Sequence, residues 1–338
     1  MLAHKLLSIE ELKSTLDFGK KIFIGYSGGP DSSALLYFLS KICLEYSLDL
    51  SAIHINHNIS KNSNDWEVHC KETCKDLKIN FINESTNIIP SGGGTEASAR
   101  NERYRIFEKY LDHNDQLLTA HHSDDVTETI FLRLLRGTGI DGLQGPHKKR
   151  NLGKGYVIRP FLNISKKDIM QYLELNKIKY IQDSSNIDNS FDRNFLRNEI
   201  FPVLNERWND FSKRVFKTSQ LIEERNTNFS NLLKNNYKDL VKNKINKDEL
   251  MKLDTEIIKE VLRHAIKEEG ISMPSSKVLE EVIKTFIHSN PTSKSIVSWS
   301  RADKEQLAGK ITFEDGKILI STKAVSYTHL RAHETFRY

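Results

Sequence analysis

Residues 21–36 read KIFIGYSGGPDSSALL, and this stretch decides the fold. Lys21 to Tyr26 is an apolar run of strand length. It enters Ser27-Gly28-Gly29-Pro30-Asp31-Ser32-Ser33, after which helical spacing begins. Two glycines permit a tight turn and close approach of a ligand, and the helix start offers unpaired N–H groups at the positive end of a dipole. With three serine hydroxyls added, the segment reads as a cradle for an anion, most naturally a polyphosphate. It is not a Walker A loop, because no Lys follows in G-x-x-x-x-G-K-[ST] spacing, and G-x-G-x-x-G is absent too. The plainer alternative is a Gly-Gly turn with a Ser/Asp cap.

Outward from this loop, strand-like runs at Leu50–Asn56, Ile79–Ile82 and Gln116–Ala120 alternate with helical patterns at Ser32–Tyr46, Asn64–Leu77 and Thr95–Leu111. That alternation predicts an α/β, doubly wound, mainly parallel sheet of Rossmann-like kind, with ligands beyond the carboxyl ends of its strands. After Arg136 come Gly137, Gly139, Gly142, Gly145 and Pro146, then the basic run Lys148, Lys149, Arg150 and Lys154, read together as one long loop. Helices are expected at Ser165–Asn176 and from Asp192 to about Leu221, and a linker or solvated helix over Arg225–Lys247. A smaller, mostly helical domain follows, closing with strands at Ser295–Trp299 and Gly309–Ile320. The expected division is 1–217, 218–324 and a tail, 325–338. Ser326–Tyr338, SYTHLRAHETFRY, resembles translated sequencing-adapter DNA and is expected to be non-native.

The 338 residues are 38% apolar and 28% charged, with a mean hydropathy of −0.51. These values exclude a multi-span membrane protein and a disordered chain. Met1–Ser8 lacks a signal-peptide layout, so a cytoplasmic enzyme with no membrane association is expected. Three cysteines, Cys43, Cys70 and Cys74, are too few for a disulfide framework and lack Cys-x-x-Cys spacing. The net charge of +5 divides unevenly: counted along the sequence, 1–146 carries −5, so 147–338 carries +10. An acidic front and a basic back suggest small-molecule chemistry in one place and a bound polyanion in another.

A second motif, His121-His122-Ser123-Asp124-Asp125-Val126-Thr127-Glu128-Thr129, ends a strand and opens a helix. Asp125 and Glu128, like Asp124 and Glu128, share a helix face. Such clustered carboxylates require a cation, either Mg²⁺ or an ammonium-bearing substrate. A zinc site is the rival, but the histidines lack the i, i+4 spacing of H-E-x-x-H. A plain N-terminal cap explains Asp124 and not the whole set.

Ser-Gly-Gly-x-Asp-Ser after a first strand resembles the PP-loop ATP pyrophosphatases, which split ATP between its α and β phosphates. Thr119–Gly145 (TAHHSDDVTETIFLRLLRGTGIDGLQG), preceded by Glu96–Tyr104 (EASARNERY), resembles the tRNA(Ile)-lysidine synthase family more specifically. Arg159-Pro160, Asp183–Asn186, and Arg193–Arg197 leading to Pro202 extend the likeness, which covers about Ile22 to Leu204; Val261–Ile320 is similar through weaker signals. Longer members carry a further C-terminal domain.

The resemblance implies that 1–217 is the catalytic domain and 218–324 a helical tRNA-binding domain. It implies that ATP adenylates C2 of the wobble cytidine in the isoleucine tRNA with a CAU anticodon, and that free L-lysine then displaces AMP. ATP would be held by Ser27, Gly28, Gly29, Pro30, Asp31, Ser32, Ser33, His54, His57 and Arg103. Mg²⁺ would lie on Asp31 and Asp124. The catalytic set would be Asp31, His121, Asp125 and Glu128, with His121 donating to the α-phosphate. Asp125 and Glu128 would bind the lysine ammonium groups, one carboxylate accepting a proton, and Arg193 and Arg197 would suit the lysine carboxylate or a tRNA phosphate. Arg136, Lys148, Lys149, Arg150, Lys154, Lys166, Lys167 and Asn194 would contact tRNA. Oligomeric state is left open, a homodimer included.

Three rivals are weighed. A tRNA thiolase wants catalytic or cluster-binding cysteines, and Cys70 and Cys74 are expected on an early helix away from the loop. Relatives that amidate small metabolites fit the basic half poorly. An inactive RNA-binding relative should have lost Asp31 or the acidic cluster, and both are present.

Overall fold

The computed structural model describes residues 6–58, 62–86, 94–183, 187–300 and 307–323, with the backbone alone at 94–97. The suspected tail and Ser184–Asn186 lie outside the described residues. The chain divides into two compact units, Met1–Asn226 and Thr227–Tyr338.

In the first unit, α1 (Ile9–Lys13) is closed by a reciprocal Ser8–Glu11 capping box. There follow β1 (Ile22–Gly25), α2 (Pro30–Tyr46), β2 (Leu50–Asn56), α3 (Ser63–Asp76), β3 (Asn80–Ser85), α4 (Gly94–Tyr110), β4 (Gln116–Leu118), α5 (Ser123–Leu135), α6 (Ile140–Leu143), β5 (Lys149–Leu152) and β6 (Gly155–Ile158). The sheet order is β3-β2-β1-β4-β6-β5. All pairings are parallel except that of β5 with β6. The winding reverses direction between β1 and β4, which opens a crevice at their carboxyl ends. Behind it, Ile22, Ile24, Leu35, Leu36, Leu118 and Phe161 form the main core.

The basic run is therefore not a loop. Lys149–Leu152 and Gly155–Ile158 form a hairpin that adds a fifth parallel strand and an antiparallel edge. Gly155 is required there, because a Cβ would lie 2.4 Å from the Asp115 carbonyl oxygen. Only Leu152, Val157 and Ile158 of this hairpin are apolar and buried, too short a signal to read against its charges.

The expected helix from Asp192 is broken as well. α7 (Lys166–Leu175) leads to α8 (Asp192–Phe195), a π-helical turn at Leu196–Ile200, α9 (Phe201–Arg207) and α10 (Phe211–Asn236). Asp210 adopts φ 57°, a left-handed residue that separates α9 from α10. α10 runs through Arg225–Asn236, where a solvated helix was one of two expectations.

The second unit contains β7 (Lys244–Asn246), α11 (Lys247–Leu250), α12 (Thr255–Glu268), α13 (Ser276–Phe286), β8 (Ile296–Trp299), β9 (Gly309–Glu314) and β10 (Lys317–Thr322). Its strands are ordered β7-β10-β9-β8, antiparallel throughout. The strand expected at Gly309–Ile320 is a hairpin, turned at Asp315 (φ 48°) and Gly316 (φ 74°), two positive-φ residues of the kind a tight hairpin demands. Gly309 faces Trp299 across the ladder, and a Cβ there would meet the indole at 2.3 Å. Val261, Leu262, Phe286, Ile311 and Ile318 fill the core. Among the described residues no helix is long and apolar enough to cross a membrane.

Candidate active site

The loop after β1 is built largely from its own hydroxyls. Ser33 Oγ donates to the Gly28 carbonyl and Ser32 Oγ to that of Gly29, both at 3.1 Å, and the Ser27 and Ser32 hydroxyls lie 3.0 Å apart. The two glycines serve different needs. Gly28 has φ +79°, and a Cβ on it would lie 2.4 Å from Ile181 Cδ1 and 2.9 Å from Cys70 Sγ. Gly29 (φ −68°) precedes Pro30 as the residue that caps α2, and a Cβ on it would meet only Ser27 Oγ, at 3.4 Å. Packing demands the first glycine, and the second leaves the N-terminus of α2 open to a ligand. Cys70 is thus beside the loop, contrary to expectation, but it lies behind it. Burial pushes the Cys70 and Cys74 thiols up to about 12, so both stay protonated and unreactive.

Three helix N-termini meet at this crevice: α2 through Asp31, α5 through Asp124 and Asp125, and α7 through Lys166. The Ser123 N–H donates to the Ile164 carbonyl at 2.9 Å, and the Lys166 N–H to Asp124 Oδ2 at 2.8 Å, which ties α7 to α5. Lys166 Nζ donates to Asp31 Oδ1 at 2.5 Å, which ties α7 to α2. At the centre stands His122, 4% exposed, the N-cap of α5. Its Nε2 is 3.7 Å from Asp31 Oδ1 and 3.5 Å from Asp125 Oδ2, and its Nδ1 is 3.5 Å from Asp124 Oδ2. Burial disfavours the imidazolium, but Asp125, Asp124 and Asp31 together outweigh it and raise the His122 pKa above the usual histidine range. Nothing in the spacing of the second motif marks His122 for this central place, and Lys166, expected among the tRNA contacts, stands among these carboxylates.

Asp125 accepts the His122 backbone N–H at 3.0 Å. Burial opposes its ionisation, but His122 and Arg193 hold it well below the usual carboxylate range. Its carboxylate is therefore held in the ionised form.

Glu128, fully buried, accepts Arg193 Nε at 2.7 Å, Arg197 Nε at 2.7 Å and Arg197 Nη2 at 3.0 Å. Its charge is met within the protein, so the expected ammonium ligand of this pair is Asp125 rather than Glu128. Packing of Phe131 on α5 against Phe201 (5.3 Å) and Phe211 (6.3 Å) holds the α8–α9 segment where both arginines reach α5.

His121 bonds Thr119 Oγ1 through Nδ1 at 2.9 Å, and burial lowers its pKa to about 3, so it acts as a neutral imidazole. His54 hydrogen-bonds the Tyr26 carbonyl at 2.9 Å and is lowered by burial. His57 is lowered to about 4 by burial and by Arg103. Both its ring nitrogens are buried with no hydrogen-bond partner among the described residues. These orphaned nitrogens beside an arginine suit a nucleotide.

Among the described residues no three ligating side chains converge on a metal position. Asp31 and Asp124 supply at most two carboxylates, the number Mg²⁺ takes when phosphates complete its shell.

The tRNA candidates divide. The Lys148 carbonyl accepts the Arg159 N–H, which places Lys148 at the carboxyl end of β6, level with the crevice. Lys149 lies over the Tyr156 ring (3.9 Å to the centroid) and Arg150 over Tyr104 (4.5 Å). Lys154 sits at the hairpin turn with Asp112 (3.8 Å), at the end of the sheet opposite the crevice. Arg136 pairs with Asp192 at 3.9 Å, Lys167 is exposed, and the Asn194 amide donates to the Asp188 carbonyl at 2.9 Å.

Residues 4–204 match the family described as PP-loop domain, and residues 246–306 that described as TilS substrate binding domain. The tRNA(Ile)-lysidine synthase of Coxiella burnetii (strain RSA 493 / Nine Mile phase I) is 34% identical over 300 residues, 88% of this chain and 67% of the relative. That of Legionella pneumophila (strain Lens) is 33% identical over 337 residues, 99% of this chain and 78% of the relative. Among solved structures, the U34-tRNA thiolase NcsA from Methanococcus maripaludis, with its 4Fe-4S cluster, has a TM-score of 0.53 at 18% identity over 63% of this chain and 77% of that one, a likeness of fold alone.

Proposed function

The chain belongs to the tRNA(Ile)-lysidine synthase family and is an ATP-dependent ligase, and from this premise we propose how its residues divide the work. The reaction joins the ε-amine of lysine to C2 of the wobble cytidine in the isoleucine tRNA with a CAU anticodon. The C2 oxygen first attacks the α-phosphorus of ATP and pyrophosphate leaves; the amine then attacks C2 and AMP leaves with that oxygen.

One observation carries the assignment. The hydroxyl-lined loop and the Asp31–His122–Asp124–Asp125 cluster face the same crevice, where three helix N-termini favour anions and three carboxylates favour a cation. The triphosphate lies along Ser27–Ser33, with His54, His57 and Arg103 toward the nucleoside. Mg²⁺, carried by Asp31 and Asp124, would neutralise the phosphates and the departing pyrophosphate. His121, neutral, donates a hydrogen bond to the α-phosphate without adding fixed charge. Asp125 binds the lysine ammonium as an ionised carboxylate. Glu128 holds Arg193 and Arg197 in place, and their outer N–H groups meet the lysine carboxylate. The amine must shed a proton to solvent water before it attacks, since a free lysine has a pKa of about 10.4.

In the first unit the tRNA backbone contacts Lys148 and Lys149, and the segment matched as a substrate-binding domain, residues 246–306, is a separate tRNA-binding part of the second unit. Incubation with ATP, labelled lysine and CAU-anticodon tRNA tests the reading. The expected result is label in RNA with release of AMP and pyrophosphate. Folded protein that transfers no lysine would refute it, and transfer of sulfur in a parallel incubation supplied with sulfide would favour the thiolase alternative.

A further inference from the structure

The loop Ser27–Ser33 contains no cationic side chain of its own, yet a triphosphate brings several negative charges to it. The cation set against this loop comes from far along the chain. Lys166, the first residue of α7, reaches Asp31 Oδ1 at 2.5 Å, and Asp31 is the second residue of α2. Its position is fixed independently at two points. The Lys166 N–H binds Asp124, and the preceding Ser165 caps α7 through the Asp168 N–H at 3.2 Å with a reciprocal Asp168 contact. The side chain remains 38% exposed, so it is anchored at its root and open to solvent beyond it.

From this geometry we infer that Lys166, paired with Asp31 at the mouth of the loop, is the phosphate-binding lysine of the ATP site and turns onto the β- and γ-phosphates of ATP. It supplies the compact point charge that a Walker A loop carries within its own sequence. This use of Lys166 differs from a tRNA-backbone contact. It rests on reading the loop as an ATP cradle and does not depend on lysine transfer.

The test measures equilibrium binding of Mg-ATP, AMP and tRNA to wild type, Lys166→Ala, Lys166→Gln and Lys166→Arg, with thermal unfolding as a check on folding. Loss of one charge-assisted hydrogen bond predicts that ATP binds the Ala and Gln variants roughly 10- to 150-fold more weakly. AMP, lacking the outer phosphates, should be affected far less, Lys166→Arg should retain most of the ATP affinity, and tRNA affinity with its salt dependence should stay unchanged. ATP affinity equal to wild type in both neutral variants would overturn the inference. So would equal loss for ATP and AMP, which would make Lys166 a mere support for Asp31, or loss of tRNA affinity alone. Wild-type protein that binds ATP but forms no lysidine would leave it standing, whereas wild-type protein that binds no ATP would overturn both readings.

Discussion

Glu128→Gln separates a positioning role from a substrate-binding one by the sign of a stability change. The carboxylate is 1% exposed and receives three hydrogen bonds from two guanidinium groups. Gln keeps the shape but loses the charge, and turns an NH₂ donor toward an arginine donor. Breaking a fully buried ion pair costs about 3–5 kcal/mol. Arg193 and Arg197 are 29% and 39% exposed, so water solvates part of their orphaned charge. Discounted for that solvation, the expected cost falls to about 2–3 kcal/mol. For a unit of this size each kcal/mol shifts Tm by roughly 2–4 °C, giving a fall of about 4–12 °C in the first unit's transition by calorimetry. A residue whose main partner is the substrate behaves oppositely, because removing it relieves unpaired charge in the free protein. An unchanged or raised Tm, accompanied by a raised KM for lysine, would refute the anchoring role.

Gly28→Ala should destabilise by about 2–4 kcal/mol, from its left-handed φ and the clash with Ile181. Adding Ile181→Val, which deletes the clashing Cδ1, should recover part of the loss, and no recovery in denaturant melts would contradict the packing argument. His57, held neutral by burial and Arg103, must take up a proton on unfolding below its ordinary value, so its contribution is lost as pH falls from 6.5 toward about 4. His57→Gln should flatten that part of the Tm–pH curve; an identical curve would show that another group controls it. Under native conditions a thiol reagent should leave Cys70 and Cys74 untouched and modify all three cysteines only after unfolding. Rapid native modification of either buried thiol would contradict the inert reading. Lys148→Ala should reduce the salt slope of tRNA binding by about 1 and Lys154→Ala by none, so equal effects would argue against the sheet-end distinction.

Where one local rule dominated, the sequence was readable. Apolar run, Gly-Gly turn and helix start occur in order at residues 21–36, and the structure has strand, loop and helix there. Both chemical motifs lie at carboxyl ends of β1 and β4, as a doubly wound sheet requires. Reading failed where tertiary contacts override local pattern. Nothing near Lys149 indicates that Val157 will pair beside Leu117 as a buried parallel strand. Asp315-Gly316 is a two-residue turn signal inside an apolar run that reads as continuous. Charge in the site was misjudged for a similar reason: Glu128 meets Arg193 and Arg197 from 65 and 69 positions away. The closure of α7 onto Asp31, 135 positions away, was equally invisible to spacing.

The wall behind Gly28 carries a consequence for how the protein responds to its nucleotide. That wall joins residues 28, 70 and 181, so the loop acquires its shape only when segments more than 150 positions apart have docked. Nucleotide affinity is then a property of the whole folded unit and vanishes in any partly folded form. By mass action ATP raises the cost of unfolding, by about 2.7 kcal/mol at a hundredfold excess over Kd. Substitutions at Ile181 or Cys70, which need not touch the ligand, should weaken apparent ATP affinity by populating an open loop, and cellular ATP should protect the chain from proteolysis.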